Sequence, residues 1–503
     1  MNKIIIVGGG SAGWMTAATL IREFPNRDVT LIESPNIQIT GVGESTTQLI
    51  QRWIDWLGIE LKDFMPHTDA TFKLSVRFQD FYKKGEYYHY PFGDTDTTDH
   101  VAGLNDWWFR KILKPNIPNS EYADCMCPSM ALVNQNKFDL NQRFGFHFDA
   151  VKFGLWLRDN YCIPRGVKHI KEEVSSIQQD DDGIVSLNKK YSADLYIDCT
   201  GFKSLLLNET LKEPFISYED MLPNNNAWVA RVPYTNKEKE LKSYTNCTAI
   251  ENGWVWRTPT WSRMGSGYVY SDKFVDDDTA LKEFKNHLGR DDLEFRKIKM
   301  RVGIHKRLWV KNVVAIGLSA GFIEPLESNG LYSVHEFLNY LIRNMQREKV
   351  SQFDKDNFTY ACRQEFENFA EFVALHYSLS HRDDTEYWKA NFNKTWSNDV
   401  IERKPSLTVG INSAIKYRAF DFTHSPNNDI HYIAAGNNWA PTDKLSLLQR
   451  SNLDDIDSFL KIASMLMVSK KQKWINEAEK FPSLYQYLKE NYYNARQLSE
   501  YYL

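Results

Sequence analysis

The sequence predicts an α/β protein whose N-terminal part opens a nucleotide-binding sheet of Rossmann type and whose last third is mostly helical. Three observations predict this. A short β-branched run, Lys3 to Val7, meets Gly8-Gly9-Gly10-Ser11-Ala12-Gly13, and a helical pattern runs on from Trp14 through Phe24. A second strand-like run, Val29-Thr30-Leu31-Ile32, ends at Glu33, 20 residues beyond Gly13. Beyond about Lys349 apolar residues recur at helical spacing, as at Leu453, Ile456, Phe459, Leu460 and Ala463.

The first two observations make a G-x-G-x-x-G turn between a strand and a helix, followed by a strand and an acid. Gly8, Gly10 and Gly13 permit a tight turn and close approach of a pyrophosphate to the helix start at Ser11 and Ala12. Glu33 is placed to accept from ribose hydroxyls. The pattern alone does not separate FAD from NAD. Soon after, Gly41-Val42-Gly43-Glu44-Ser45-Thr46 has two glycines around a β-branched residue, then an acid and two hydroxyls, which suits a loop passing under a flavin; by pattern alone an ordinary glycine-rich turn fits as well.

Far along the chain, Ala193-Asp194-Leu195-Tyr196-Ile197-Asp198-Cys199-Thr200-Gly201-Phe202 reads as a buried strand ending in a tight turn. The nucleotide fold is therefore expected to be discontinuous. Segments near 1–45, 150–205 and 295–345 build one sheet within a core of residues 1–345. The stretches 46–149 and 206–294 are inserted as a second, substrate-side layer, and 346–503 form a mainly helical region or lid.

Composition bounds the function. The chain has 503 residues, 42% hydrophobic and 25% charged, which is ordinary for a globular protein. The net charge of −4 gives no electrostatic case for nucleic acid. No apolar run approaches the roughly 18 residues of a membrane span. The apolar part of the N-terminus is too short for a signal peptide, so a cytoplasmic protein is expected. The six cysteines are scattered, with no C-x-x-C pair to suggest a metal site. Aromatic residues make up 14%, which suits a large flat ligand or a thick aromatic core equally.

Four further stretches carry candidate chemistry. Val313-Val314-Ala315-Ile316-Gly317 is strand-like and leads into Gly321-Phe322-Ile323-Glu324-Pro325-Leu326-Glu327-Ser328-Asn329-Gly330, with a helical run from Val334 to Met345 behind it. Two carboxylates, a proline and a glycine in such a loop supply acid or base capacity, a stiff bend and close backbone approach. Thr71 to Phe78 alternates as one strand, with Phe72, Leu74, Val76 and Phe78 on one face and Lys73, Ser75 and Arg77 on the other. Tyr87-Tyr88-His89-Tyr90-Pro91-Phe92-Gly93 is an aromatic patch suited to a clamp or to core. In Gly253-Trp254-Val255-Trp256-Arg257-Thr258-Pro259 both indoles face one side of a strand, and a hairpin return follows near Gly265 to Ser271. His431 to Pro441, with Trp439, breaks the helical run as a loop or lid.

Taken together and in order, these stretches resemble the flavin-dependent halogenases of the tryptophan-halogenase type, across nearly the whole chain. The residues carrying the resemblance are the glycine turn with Ala12-Gly13-Trp14-Met15, Gly41 to Thr46, Phe72-Lys73-Leu74, Ile197 to Phe202, the W-x-W-x-x-P run Trp254 to Pro259, and Glu324 to Ser328. The resemblance implies a discontinuous, glutathione-reductase-like FAD domain and a two-component enzyme. A separate NAD(P)H-dependent flavin reductase supplies FADH2, and O2 and a halide ion are co-substrates. The flavin site is expected to include Gly8, Gly10, Ser11, Ala12, Gly13, Glu33, Gly43, Glu44, Ser45, Gly317 and Leu326. Halide is expected beside Asn329 and Gly330, where hypohalous acid forms. Trp254, Trp256 and Pro259 then wall off the flavin, and His89, Phe92 and Trp439 line the substrate side. Lys73 receives hypohalous acid, by a hydrogen bond or as a haloamine, and Glu327 positions the electrophile or takes the ring proton. The product is a halogenated small aromatic of indole or phenol type, and a homodimer is expected.

Two departures stand out. The chain has Thr258 where members of that family usually have isoleucine, and Asn329 where they usually have threonine. The second alters the side chain beside the halide, so bromide or iodide is expected to be preferred over chloride. Two other readings start from the same residues. A single-component FAD and NAD(P)H aromatic monooxygenase shares the glycine turn but leaves the tryptophan pair and Lys73 without a role. A non-catalytic flavoprotein predicts that replacing Lys73 or Glu327 changes nothing.

Overall fold

The computed structural model describes residues 1–37, 44–93, 104–347, 349–392, 428–439 and 456–494. Gly43 and the side chain of Glu44, both expected at the flavin, lie outside the described residues, as do Pro441 and Leu453.

A six-stranded sheet carries the nucleotide end. Its central strand, Lys3–Val7, lies parallel to Leu195–Asp198 on one side and to Asp28–Glu33 on the other. Lys168–Lys171 extends the sheet beyond Asp28–Glu33, and Val313–Ala315 extends it beyond Leu195–Asp198, both in parallel. The short strand Trp309–Val310 closes that edge antiparallel. Ile4, Ile5 and Ile6 are buried on both faces, which is why the run is continuously apolar rather than alternating. The helix Ser11–Glu23 covers one face with Trp14, Met15, Ala17, Ala18 and Leu20. The strands of this sheet come from three separated segments of the chain.

The second layer is a seven-stranded sheet. Its spatial order is Phe295–Lys299, Asn226–Val232, Met264–Tyr270, Gly253–Pro259, Tyr244–Ile250, Ser75–Gln79 and Tyr87–Pro91. Gly253–Pro259 and Met264–Tyr270 form the hairpin that the tryptophan pair suggested, with Trp256 opposite Gly267.

Thr71 to Phe78 is not one strand. Thr71–Lys73 pairs with Gly145–Phe148 in a small sheet that also holds Glu44–Ser45, whereas Ser75–Gln79 belongs to the large sheet. The chain changes partners at Leu74, whose N–H donates to the Ser243 carbonyl at 2.6 Å and whose carbonyl accepts from the Phe92 N–H at 2.7 Å. Phe72 therefore stacks on Phe138, while Phe78 stacks on Tyr88, in different parts of the core. The alternation in the sequence misled because every residue from Ala70 to Val76 is buried.

The C-terminal part is helical. The 27-residue helix Gln352–Ser378 packs along Asn329–Met345 and opens with a capping box between Ser351 and Asp354. The first part of the stretch read as a loop or lid, His431 to Gly436, belongs instead to a helix, Asn428–Gly436, and Asn437 and Asn438 turn after it. Ile430, Tyr432, Ile433, Ala434 and Ala435 are buried, so packing overrides the polar signals at its end. Gly436 sits flat on Tyr88, where a Cβ would come within 2.2 Å of the ring. Among the described residues no helix is long and apolar enough to cross a membrane.

Candidate active site

The glycine turn is shaped by contacts that leave no room for side chains. Gly8 has φ of +115°, and a Cβ there would lie 2.2 Å from the Cys199 carbonyl oxygen. A Cβ on Gly9 would lie 1.6 Å from Glu33 Oε2, and one on Gly13 would lie 1.9 Å from the Gly8 carbonyl oxygen. The helix begins at Ser11 with Gly10 as its uncapped N-terminal neighbour, so its first N–H groups are open to an anion. Ser11 Oγ donates to the Ala150 carbonyl at 2.8 Å. Gly317 has φ of +69° and packs against Ala12, where a Cβ would approach the alanine methyl to 2.9 Å. Glu33 is held by His169 Nε2 at 2.7 Å and lies 4.0 Å from Arg158. A bare glycine cradle beside a fixed carboxylate is what a dinucleotide needs, so these residues fit FAD.

Lys73 is fully buried, which is unusual for an amine. Its Nζ donates to the Thr46 carbonyl at 3.1 Å and to Ser328 Oγ at 2.8 Å, and lies 4.9 Å above the Phe92 ring. Burial lowers its pKa to about 7; nearby Glu327 opposes that shift. Cys247 is itself buried, and desolvation pushes its thiol well up, so it faces the pair neutral. The structure thus brings together a lysine from the Thr71–Lys73 strand and a glutamate about 250 residues later.

Glu327 closes a short turn, Pro325–Glu327, before Ser328, which has φ of +61° and starts the helix Asn329–Met345. Its Oε1 meets His376 Nε2 at 2.8 Å. His376 Nδ1 faces the Phe372 carbonyl at 3.0 Å, which can only accept, so that nitrogen carries a hydrogen. The hydrogen bond between Nε2 and Glu327 therefore shares one proton between an imidazole and a carboxyl group. His376 was missed at the sequence level; 49 residues separate it from Glu327, and no local motif links them.

The tryptophan pair stands at the other carboxylate of the loop. The Trp254 and Trp256 rings are 6.1 Å apart. The Trp254 indole donates to Glu324 Oε2 at 3.2 Å, and Asn224 Nδ2 donates to the same oxygen at 2.5 Å. Burial raises the Glu324 pKa. Pro259 ends the strand, and its carbonyl accepts from Thr71 Oγ1 at 2.6 Å. Leu326 is buried beside Cys247, whose Sγ reaches the Leu326 carbonyl. Asn329 is buried with Nδ2 toward the Ile323 carbonyl at 3.4 Å and Oδ1 without a partner. Asn329 and Gly330 open the helix with no side-chain cap, leaving N–H groups for an anion.

Two further residues were expected on the substrate side, His89 and Trp439. His89 bonds Ser75 Oγ through Nδ1 at 3.0 Å and packs edge-on to Tyr244; burial lowers its pKa to about 3. On a strand its side chain lies opposite those of Tyr88 and Tyr90, which face Phe78 and Phe372. Trp439 follows the helix Asn428–Gly436 and is half-buried against the core.

The family model described as tryptophan halogenase matches residues 3–451. The tryptophan 6-halogenase SttH of Streptomyces toxytricini is 33% identical over 80% of this chain and 83% of its own length. The tryptophan 7-halogenase RebH of Lentzea aerocolonigenes is 28% identical over 98% of this chain and 99% of its own. Among solved structures, VirX1 in its apo form superposes with a TM-score of 0.88 at 35% identity, over 98% of this chain and 100% of that one. BrvH, a flavin-dependent halogenase from Brevundimonas sp. BAL3, gives a TM-score of 0.85 at 28% identity, over 97% of this chain and 99% of that one.

Proposed function

Because this chain belongs to the tryptophan-halogenase family of FAD-dependent enzymes, we propose that it halogenates an electron-rich indole or phenol by electrophilic substitution at Lys73 and Glu327. The observation that carries this reading is the fully buried lysine within electrostatic reach of a buried, histidine-paired glutamate. Bound FADH2, with dioxygen and halide, supplies the oxidising equivalent that makes hypohalous acid.

The chain's own residues do the rest. Gly8, Gly10, Ser11, Ala12, Gly13 and Glu33 hold the dinucleotide, with Gly43, Glu44, Ser45, Gly317 and Leu326 completing the flavin side. The open N–H groups at Asn329 and Gly330 hold halide. Trp254, Trp256 and Pro259 keep substrate from the flavin. Lys73 holds the X⁺ equivalent, and Glu327 takes the proton that the ring sheds once it carries the halogen. Electrophilic substitution needs no stronger base, because only the cationic ring intermediate is deprotonated.

Bromide or iodide is the preferred halide in this reading. Asn329 puts a carboxamide with an unpaired end where the family usually has a small hydroxyl. The larger halides are also easier to oxidise. The acceptor is an aromatic without the amino-acid group of free tryptophan, since no acid in His431 to Pro441 would grip that group. The reading also takes residues 1–345 as the FAD and catalytic core, 346–503 as the substrate side, and a cytoplasmic homodimer as the working assembly.

The test is a mass-spectrometric assay with FAD, a generic flavin reductase, NADH, air and a panel of indoles and phenols. Chloride, bromide and iodide are run apart and then in competition. Halogenated product with bromide or iodide ahead supports the reading. Oxygenated product without halogen moves the protein to the monooxygenases, and chloride turned over as well as the others sinks the halide preference.

A further inference from the structure

We propose that Glu324 is the positioning residue of the tryptophan wall: its carboxyl group fixes the orientation of the Trp254 indole, and that orientation decides what share of the oxidant reaches Lys73. The proposal rests on the roles given above to the tryptophan pair and to Lys73.

Glu324 is buried, as are Asn224, Trp254, Tyr377 and Tyr387 around it. The indole N–H of Trp254 can only donate, and among the described residues its one acceptor is Glu324 Oε2, at 3.2 Å. A half-turn of the ring about its last side-chain bond takes the N–H away from that oxygen and leaves it unpaired. The carboxyl group therefore selects one of the two arrangements open to the ring. Trp256 is set by packing instead, with Gly267 against its ring. The carboxyl group is itself anchored. Asn224 Nδ2 donates to Oε2 at 2.5 Å, and the Tyr377 hydroxyl also hydrogen-bonds the group. Tyr387 holds Asn224 by donating to its Oδ1 at 3.1 Å. Tyr377 follows His376 near the end of the helix Gln352–Ser378, and Glu324 precedes Glu327 by three residues. Consecutive helix residues point about 100° apart, so one helix end grips the loop at two points. His376 takes Glu327 and Tyr377 takes Glu324. Glu327 thus has its own anchor, and losing Glu324 disturbs the wall first.

A purely structural account leaves the choice of residue unexplained. Among the described residues no lysine or arginine pairs with Glu324; its donors are an indole, an amide and a phenol, and burial raises its pKa. A buried carboxyl group without a cation costs stability that an apolar side chain would not. Its Oε1 has no partner, so the group is not there to satisfy a crowd of donors. What it supplies is one oxygen that meets the wall and the Asn224 anchor together. The effect of that oxygen is on how oxidant is divided, not on the chemistry at Lys73. When Trp254 is free to turn, the wall no longer has a single shape, and hypohalous acid formed on the flavin side is lost before it meets Lys73.

The experiment measures coupling, the halogenated product formed per dioxygen consumed, at saturating FAD with bromide present. It compares wild type with Glu324→Gln, which keeps an oxygen acceptor, Glu324→Met, which keeps the length without one, Trp254→Phe, and the Trp254→Phe, Glu324→Met double variant. Coupling should stay near wild type in Glu324→Gln. It should fall about fivefold in Glu324→Met, the ratio that one ordinary hydrogen bond sets between two arrangements of a ring. Trp254→Phe should fall at least as far, and adding Glu324→Met to it should lower coupling no further, because the carboxyl group acts through that indole. Slower turnover at unchanged coupling in Glu324→Met, an equal loss in Glu324→Gln, or a double variant whose loss multiplies those of the single ones overturns the proposal. The ultraviolet resonance Raman difference between wild type and Trp254→Phe needs no change at Glu324. It should show a hydrogen-bonded indole N–H, and a free one overturns the proposal even where Glu324→Met does not fold. Wild type that yields only oxygenated product, or halogenation that survives in Lys73→Met, overturns the roles given to the wall and to Lys73, a result distinct from any outcome at Glu324.

Discussion

Lys73 works at the expense of stability, and the sign of that effect is testable. Its folded-state pKa is depressed from 10.5 to about 7, so between those values the unfolded chain binds a proton that the folded one does not. Stability therefore rises with pH across that window, and the penalty is fully present below about pH 7, at roughly 5 kcal/mol. Lys73→Met leaves Ser328 Oγ and the Thr46 carbonyl short of a donor, which returns about 1–3 kcal/mol of that. The variant should melt a few degrees above wild type at pH 6, and the gap should close as pH approaches 10. Thermal melts across pH check this, and a gap that widens with pH contradicts it. Two neighbours give activity predictions. Glu327→Gln should lower turnover by about 10²-fold or more, and His376→Phe, which keeps the ring but not the shared proton, by about tenfold, both read as product formed per minute. Lys73, Glu327 and the glycines could be picked out in the sequence because each sits in a local motif. His376 and Cys247 could not, because only the folded chain brings them to Lys73 and Glu327. His89 stands in the same aromatic run, on the strand face opposite Tyr88 and Tyr90.

At the scale of elements, two glycines report on the tryptophan hairpin and on the glycine turn. A Cβ at Gly267 would meet the Trp256 ring at 2.2 Å, so Gly267→Ala should displace that indole and cost about 1–3 kcal/mol, seen as a lower melting temperature and a changed tryptophan emission. A Cβ at Gly9 would meet Glu33 at 1.6 Å, so Gly9→Ala should weaken FAD binding by at least about tenfold, read by flavin fluorescence. Unchanged FAD affinity would show that the Glu33 carboxylate is not fixed where the structure has it. The Trp254–Trp256 hairpin was legible because a strand keeps alternate residues on one face. The break at Leu74 was not, since a run buried throughout carries no information about which sheet each residue joins. The helix Asn428–Gly436 was masked in the sequence by the glycine and asparagines that end it.

For the whole molecule, the six-stranded sheet gathers strands from three distant segments. The order of the motifs made this architecture readable, because a parallel strand such as Leu195–Asp198 needs a partner elsewhere in the chain. Family membership carries a further consequence at this scale. The enzyme takes reduced flavin from a separate reductase, so an unrelated reductase should support turnover, and NADH with the halogenase alone should not. The measurement that tests the central claim most directly is halogenated product by mass spectrometry, wild type beside Lys73→Met, with FADH2 regenerated by a generic reductase and bromide present. The account predicts brominated indole or phenol from wild type and none above background from the variant, while both bind FAD alike. Brominated product from Lys73→Met at the wild-type rate would contradict it.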